Sequence, residues 1–285
     1  MSPTRVTVVI PCWNPDPAML AEAVTSALGQ THADLEVILV DDGSTEPASL
    51  AALDRWRDGP TRVIQQGNRG AAAARNAGAR AATGSYLLFL DHDDHILPTY
   101  VELAADVLDA KPTVGIVYCL AERFGDVTGE WDLGEFSIGR MLFGNQIFIT
   151  SLFRREDWVS VGGMDETMLH GFEDHDFWLK ILRQRPDVVR LPQLLFRYRM
   201  RGDSLTFKMD AQQKIDAYAK IMRNNIDLYE KYAEAYVAVR VGVWENLLHW
   251  KLRYGRFEDA LSSLGALRKS AARRWGRLGI RERRP

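Results

Sequence analysis

Short apolar runs alternate with helical patterns over residues 1–120, and this alternation leaves few ways for the 285-residue chain to fold. Val6–Ile10, Glu36–Val40, Arg62–Gln65, Tyr86–Leu90 and Val114–Tyr118 read as strands. Most are continuous apolar stretches, suited to a parallel sheet buried on both faces. Asp16-Pro17 supplies an N-cap and a first-turn proline, and Leu20, Val24, Ala27 and Leu28 then form one apolar stripe. Gly70–Ala82 is an alanine-rich helix ending before Gly84, and Pro98 opens another that runs to about Ala110. Connections this short predict right-handed βαβ units in an open, mostly parallel sheet flanked by helices.

The rest of the chain is less regular. Residues 121–171 hold the glycine pair Gly162-Gly163 and several aromatics. From Asp210 onward helical spacing dominates, with Ile215, Tyr218, Met222, Ile226 and Tyr229 as one stripe, so residues 209–285 read as a helical appendage to a domain over 1–208. Gly255–Leu267 resembles half of a tetratricopeptide unit, and one half-repeat makes no array. Charge is uneven. Residues 268–285 carry eight basic groups against Glu282, whereas the rest carries 28 basic against 37 acidic. An acidic body excludes nucleic acid as the partner of the core. The tail, with Trp275, Leu278 and Ile280 among its arginines, has the composition of an interfacial membrane anchor. No apolar run approaches the ~20 residues of a membrane span, no signal peptide precedes the first strand, and Cys12 and Cys119 make no disulfide framework. A cytoplasmic protein, peripheral at the inner face of the membrane, is the expectation.

Open parallel sheets bind ligands at the carboxyl ends of their strands. The first strand ends in Pro11-Cys12-Trp13-Asn14 with no G-x-G-x-x-G after it, and no phosphate-cradling G-x-x-x-x-G-K-[ST] occurs anywhere. Dinucleotide dehydrogenases and P-loop NTPases are thereby disfavoured. The second strand ends in Asp41-Asp42-Gly43-Ser44-Thr45, either a plain turn before a capped helix or a carboxylate pair facing a nucleobase or ribose. The fourth runs into Asp91-His92-Asp93-Asp94. Three carboxylates in four residues repel one another unless they gain protons or share a cation, and they suit a hard Mg²⁺ or Mn²⁺ that also grips a diphosphate. The alternative is a solvated acidic loop. Glu173 and Asp174 begin a further helix, as ordinary capping or as a general base whose ionised form the helix dipole favours.

Taken in order, these motifs resemble those of the family 2 glycosyltransferases over roughly residues 5–206. The series comprises Val8-Val9-Ile10-Pro11 with Asn14, Asp41-Asp42-Gly43-Ser44, Asn68-Arg69-Gly70 with Ala74-Arg75-Asn76-Ala77-Gly78, Gly84, and Phe89-Leu90-Asp91-His92-Asp93-Asp94. Gly162-Gly163-Met164-Asp165-Glu166, Glu173-Asp174, and Tyr198-Arg199 with Ser204 complete it. The resemblance implies the GT-A fold, a Rossmann-like nucleotide-sugar-binding sheet, and an inverting transfer from a nucleotide-sugar, commonly a UDP-sugar, to a glycan or lipid-linked acceptor hydroxyl in polysaccharide, glycolipid or surface-glycan assembly. It implies residue roles as well. Pro11, Asn14, Asp41 and Asp42 would lie by the donor's base and ribose, Arg75 along the nucleotide, and Asp91 near the diphosphate. Asp93 and Asp94 would hold Mg²⁺ or Mn²⁺, and Asp174 would be the base with Glu173 supporting it.

Two departures from the family pattern matter. Processive members carry Q-x-x-R-W and membrane spans, whereas here Ala271 precedes Arg274-Trp275, so a non-processive enzyme is expected. Where many members have a metal-holding histidine this chain has Arg201, which stays protonated and offers a bidentate fork to phosphate oxygens. Arg201 is therefore expected at the donor's pyrophosphate, or else is a plain surface arginine. Specificity for the acceptor is expected in 121–171, with Trp131, Phe136 and Phe143 as an aromatic wall. The competing reading is a metal-dependent hydrolase using Asp91/His92/Asp93 and His170/Glu173/His175. A non-catalytic binding module on the same fold is the third.

Overall fold

The computed structural model describes residues 3–169, 171–202 and 209–249. The predicted first four strands form as β1 (Val6–Cys12), β2 (Leu35–Asp42), β3 (Thr61–Gln66) and β4 (Tyr86–Phe89), all mutually parallel where they pair, in the order β3-β2-β1-β4. Every residue of β1 is buried, as a central strand covered on both faces requires. Pro11 lies two residues beyond the last β1–β4 pair, Val9↔Phe89, where the ladder on that side has ended and a missing amide hydrogen costs little.

The helices of this half follow the short connections. They are α1 (Pro17–Leu28), α2 (Pro47–Asp54), α3 (Ala71–Ala81) and α4 (Tyr100–Ala110), the last preceded by the two-residue strand β5 (His95–Ile96). Asp16 accepts hydrogen bonds from the Ala18 and Met19 amides, giving α1 the cap its sequence predicted. Helix α3 lies unusually close to the sheet: a Cβ on Gly78 would stand 2.2 Å from Val9 Cγ1. The alanines around it permit that approach and bury Arg75 and Asn76 with it.

Beyond α4 the sheet is mixed. Strand β6 (Val114–Gly125) extends the predicted fifth strand, and β7 (Gly129–Trp131) pairs with it antiparallel. After α5 (Ile138–Phe143), the three-residue β8 (Leu152–Arg154) inserts antiparallel between β4 and β6. Helices α6 (Arg155–Ser160) and α7 (Glu173–Gln184) lead to the long β9 (Asp187–Met200), which runs parallel to β6 and antiparallel to β5. The sheet is thus parallel in its first half and mixed in its second. β8 is too short to show a period of its own.

Helices α8 (Ala211–Asn224) and α9 (Ile226–Lys231) follow, with a further helical stretch over 233–249. Of the five residues of the stripe predicted here, Tyr229 alone is buried. Ile215, Tyr218, Met222 and Ile226 are exposed, whereas Ile221, Asn225, Leu228 and Tyr229 are buried. A break at Asn225 (φ −127°, ψ 28°) ends α8, and Leu228 and Tyr229 are buried on the separate helix α9. α8 and α9 dock on the rest of the chain: Asn224 and Asn225 donate to Asp176 on α7, and Tyr229 Oη donates to the Leu142 carbonyl. Among the described residues no helix is long and apolar enough to cross a membrane. Ser204, the tetratricopeptide-like segment 255–267, Arg274-Trp275 and the basic tail 268–285 lie outside the described residues.

Candidate active site

The carboxyl ends of β1 and β2 are tied together by side chains that the sequence motifs single out. Asn14, in the left-handed region at φ 44°, takes the Thr45 and Glu46 amides on Oδ1 at 2.7 and 3.1 Å, and its own amide donates to Ser44 Oγ. Asp41 is buried and accepts from the Ser44 amide at 2.9 Å and from Gln65 Nε2 at 2.8 Å. Asp42 is buried as well, with three donors: Gln66 Nε2 at 2.8 Å, the Arg69 amide at 2.9 Å and the Gly70 amide at 2.8 Å. These two carboxylates therefore shape the loops 43–46 and 66–70. Gly43, at φ 75°, lies against that second loop, where a Cβ would meet the Asn68 nitrogen at 2.7 Å.

Arg75 is buried between two carboxylates. Its side chain is 6% exposed, and its two Nη atoms reach opposite ways, to Asp91 Oδ1 and to Glu173 Oε1, each at 2.7 Å. Burial alone would lower its pKa, but the two carboxylates more than offset that and hold the guanidinium firmly charged. The next residue, Asn76, uses its whole amide on the 158–166 segment. Oδ1 accepts from Trp158 Nε1 and the Met164 amide, and Nδ2 donates to the Met164 carbonyl and Glu166. One helical pair thus secures both the end of β4 and the approach to α7.

That approach is strained. Gly171 (φ 107°) is followed by Phe172 in the left-handed conformation (φ 64°), a non-glycine outlier directly before Glu173 and Asp174. Asp174, partly exposed in the first turn of α7, accepts from the His175 amide on Oδ1 and from Asn145 Nδ2 on Oδ2, both at 2.8 Å. Burial, and then the charge of Glu173, raise its carboxyl to about 7, against the opposing pull of Arg75. A carboxylate poised there can remove a proton near neutrality.

The 91–94 loop faces β9 and its extension. Asp93 Oδ2 stands 3.4 Å from Arg201 Nη1, and burial, with Asp91 adding to it, raises its pKa against the pull of His92 and Arg201. Asp94 is buried. Its Oδ1 accepts from the Arg199 amide at 2.7 Å, while its Oδ2 has no hydrogen-bond partner among the described residues. Burial, then Asp93 and Asp91, push its carboxyl well above the usual range, a penalty that a cation would relieve. Oxygen-only donors with one orphaned carboxylate oxygen fit a hard divalent ion, which takes one or two carboxylates and completes its shell with phosphate oxygens and water. Among the described residues no group of three or more His, Cys, Asp or Glu side chains is arranged as a metal site.

The hydrolase reading fails on geometry. His175 is fully buried, its Nε2 2.6 Å from the Met141 carbonyl, and burial lowers its pKa to about 4. It is a core histidine. His92 Nδ1 contacts the Pro11 carbonyl, His170 lies outside the described residues, and the two acidic clusters meet through Arg75 instead of through a histidine. The aromatic wall separates too. Trp131 stacks on Tyr198 (4.7 Å between ring centres) and Phe148 (5.9 Å), Phe136 packs against the core, and Phe143 alone of the three is exposed. Two residues near Asp174 were not singled out by the sequence as part of the site. Asn145 sits in an irregular stretch with no periodic signal. Tyr218 of α8 stacks on Phe172 at 5.0 Å, and the charge of Asp174 adds to the rise that burial gives its hydroxyl pKa.

The family model described as glycosyl transferase family 2 matches residues 7–168. A Haemophilus influenzae protein named "Uncharacterized glycosyltransferase" is 31% identical over 253 residues, covering 81% of this chain and 83% of that protein. Chondroitin synthase of Escherichia coli is 26% identical over 215 residues, which cover 73% of this chain but 31% of the synthase. Among solved structures, residues 1–349 of S. aureus TarS in complex with UDP-GlcNAc superpose with a TM-score of 0.66 at 20% identity, covering 79% of this chain and 66% of that one. The chain thus spans slightly under two thirds of that TarS chain, and the likeness establishes the GT-A fold.

Proposed function

The chain belongs to glycosyl transferase family 2, and from this we propose an inverting, non-processive enzyme that moves one sugar from a UDP-sugar to an acceptor hydroxyl. One observation carries the reading: Asp174 follows Glu173, whose ion pair with Arg75 continues to Asp91 at the strand end where a donor would lie, and burial holds the Asp174 carboxyl above the usual range. The complexes of TarS with UDP-GlcNAc and with UDP support uridine as the base. Chondroitin synthase among the relatives supports a glycan product.

On the donor side, Asn14, Asp41 and Asp42 keep the strand-end loops in place for the base and ribose, with Pro11 at the floor. Asp93 and Asp94 would hold Mg²⁺ or Mn²⁺, which when bound neutralises charge on the departing diphosphate. Arg201, beside Asp93, donates to the pyrophosphate and shares that task. Asp174 takes the proton from the acceptor hydroxyl as the oxygen attacks the anomeric carbon from the face opposite the leaving group. One displacement inverts the centre and needs one base, while Glu173 stays bound to Arg75.

The experiment is incubation with UDP-GlcNAc and UDP-glucose, Mn²⁺ and a panel of simple glycosides, followed by UDP release and the anomeric proton coupling of the product. Acceptor-dependent UDP release with an inverted linkage, lost in Asp174→Ala, is expected. A retained anomeric configuration, or an undiminished Asp174→Ala enzyme, overturns the reading. Peripheral membrane contact at the cytoplasmic face through 268–285 is part of the same proposal, supported by the tail's composition. Sedimentation with anionic liposomes, comparing the full chain with one ending at Leu267, tests it; equal pelleting removes it.

A further inference from the structure

We propose that Asn145 is a positioning residue for Asp174: its side-chain amide fixes the plane of the carboxylate and leaves the remaining lone pairs free for the acceptor hydroxyl. This rests on the reading of Asp174 as the base. The contact joins residues 29 apart in sequence, Asn145 Nδ2 donating to Asp174 Oδ2 at 2.8 Å.

The orientation of the amide is not arbitrary. Asn145 Oδ1 accepts the Ile147 amide at 3.1 Å, so the NH₂ end must point at the carboxylate. The backbone on either side is held as well. Buried Gln146 accepts the Ser137 amide and donates to the Leu133 and Glu135 carbonyls, and Trp178 Nε1, from α7 itself, donates to the Ile147 carbonyl at 3.1 Å. Asn145 is therefore carried on a clamped segment that is bonded to the same helix as the base. With the His175 amide on Oδ1, each oxygen of Asp174 has one donor and keeps capacity for another. A general base needs this constraint, since proton abstraction requires heavy-atom distances of about 2.6–3.2 Å.

The charged and titratable groups around Asp174 are Glu173 on its own helix, Arg75 from α3, Asp91 at the end of β4 and Tyr218 from α8. Glu173 and Asp91 oppose ionisation, and Arg75 favours it. Asn145 adds a neutral donor that favours the ionised form without adding charge.

The test is a ¹³C titration of the Asp174 carboxyl, identified as the resonance missing in Asp174→Asn, in wild type, Asn145→Ala and the near-isosteric Asn145→Asp. UDP release from UDP-GlcNAc with a working glycoside is measured alongside. Wild type should titrate near 7. Asn145→Ala should titrate higher by about 1 unit, the scale of a lost hydrogen bond to a charged group, and Asn145→Asp higher still. Both should lose turnover at neutral pH by about tenfold or more, with the KM for UDP-GlcNAc unchanged. Midpoints unchanged in both variants, with Asp174→Asn inactive, overturn the role of Asn145 and leave the base in place. A fully active Asp174→Asn overturns the base and Asn145 with it.

Discussion

Arg75 Nη1 donates to Glu173 Oε1 at 2.7 Å, tying α3 to the first residue of α7 across 98 positions of sequence. The other end of the guanidinium holds Asp91, so one buried cation lies between two carboxylates. Removing it leaves both unpaired. Arg75→Met should cost about 3–5 kcal/mol in urea unfolding, the usual penalty for breaking a buried pair. Arg75→Lys should keep more of the stability but cannot span both partners, so transfer should fall nearly as far as in the methionine variant.

Asp174 makes a prediction for stability as well as for rate. Its folded pKa, about 7, lies above the ordinary 3.8, so the folded state binds the proton more tightly. The associated stability is present at low pH and is lost as pH rises through the folded value. Asp174→Asn, which cannot ionise, should therefore melt higher than wild type, by a margin that grows between pH 4 and 7 and levels off above. Wild-type transfer should rise with pH over the same upper range. Melting curves at pH 5 and pH 8 check the first, and a margin that shrinks with pH contradicts it.

Gly78→Ala tests the seat of α3. On an exposed helix this change would add about 1 kcal/mol of stability. Here the new methyl would stand 2.2 Å from Val9 Cγ1 and 3.1 Å from Val40 Cγ2. The clash should reverse the sign and destabilise by about 1–3 kcal/mol, the range for overpacked cores. Arg75, a helical turn away, would shift with the helix, so transfer should fall too.

Arg201 stands 3.4 Å from Asp93. If it meets the pyrophosphate, UDP should bind measurably in EDTA, and Arg201→Ala should weaken that metal-free binding by about 1.5–3 kcal/mol, as for a charged hydrogen bond. Isothermal titration with UDP in EDTA gives the comparison. Equal affinities would leave the arginine outside the donor site.

Much of this architecture was legible in advance because its signals are local. β1 to β4 and α1, α3 and α4 announce themselves through apolar runs, a capping aspartate and proline punctuation. The same ordering placed Asp41, Asp42, Asp91 and Asp93 at strand ends, where α/β sheets bind ligands. The failures have physical causes. The C-terminal stripe Ile215, Tyr218, Met222, Ile226 and Tyr229 follows helical spacing, yet of these Tyr229 alone is buried, and the helix breaks at the buried Asn225, bonded to Asp176. β8 has three residues, fewer than any alternation can reveal, yet it separates β4 from β6 with antiparallel pairing on both sides.

Periodicity and motif order, properties of neighbouring residues, were enough to establish the α/β class, the strand ends that carry chemistry and the family resemblance. The tertiary structure alone decided which of those residues meet. It made Arg75 a buried bridge between two carboxylates and His175 a core side chain, and it brought Asn145 to Asp174. These pairings join residues 16 to 98 positions apart. No local pattern encodes them, because hydrogen-bond partners across such distances are selected only when packing of the sheet and helices brings the side chains together and excludes the water that would otherwise satisfy them.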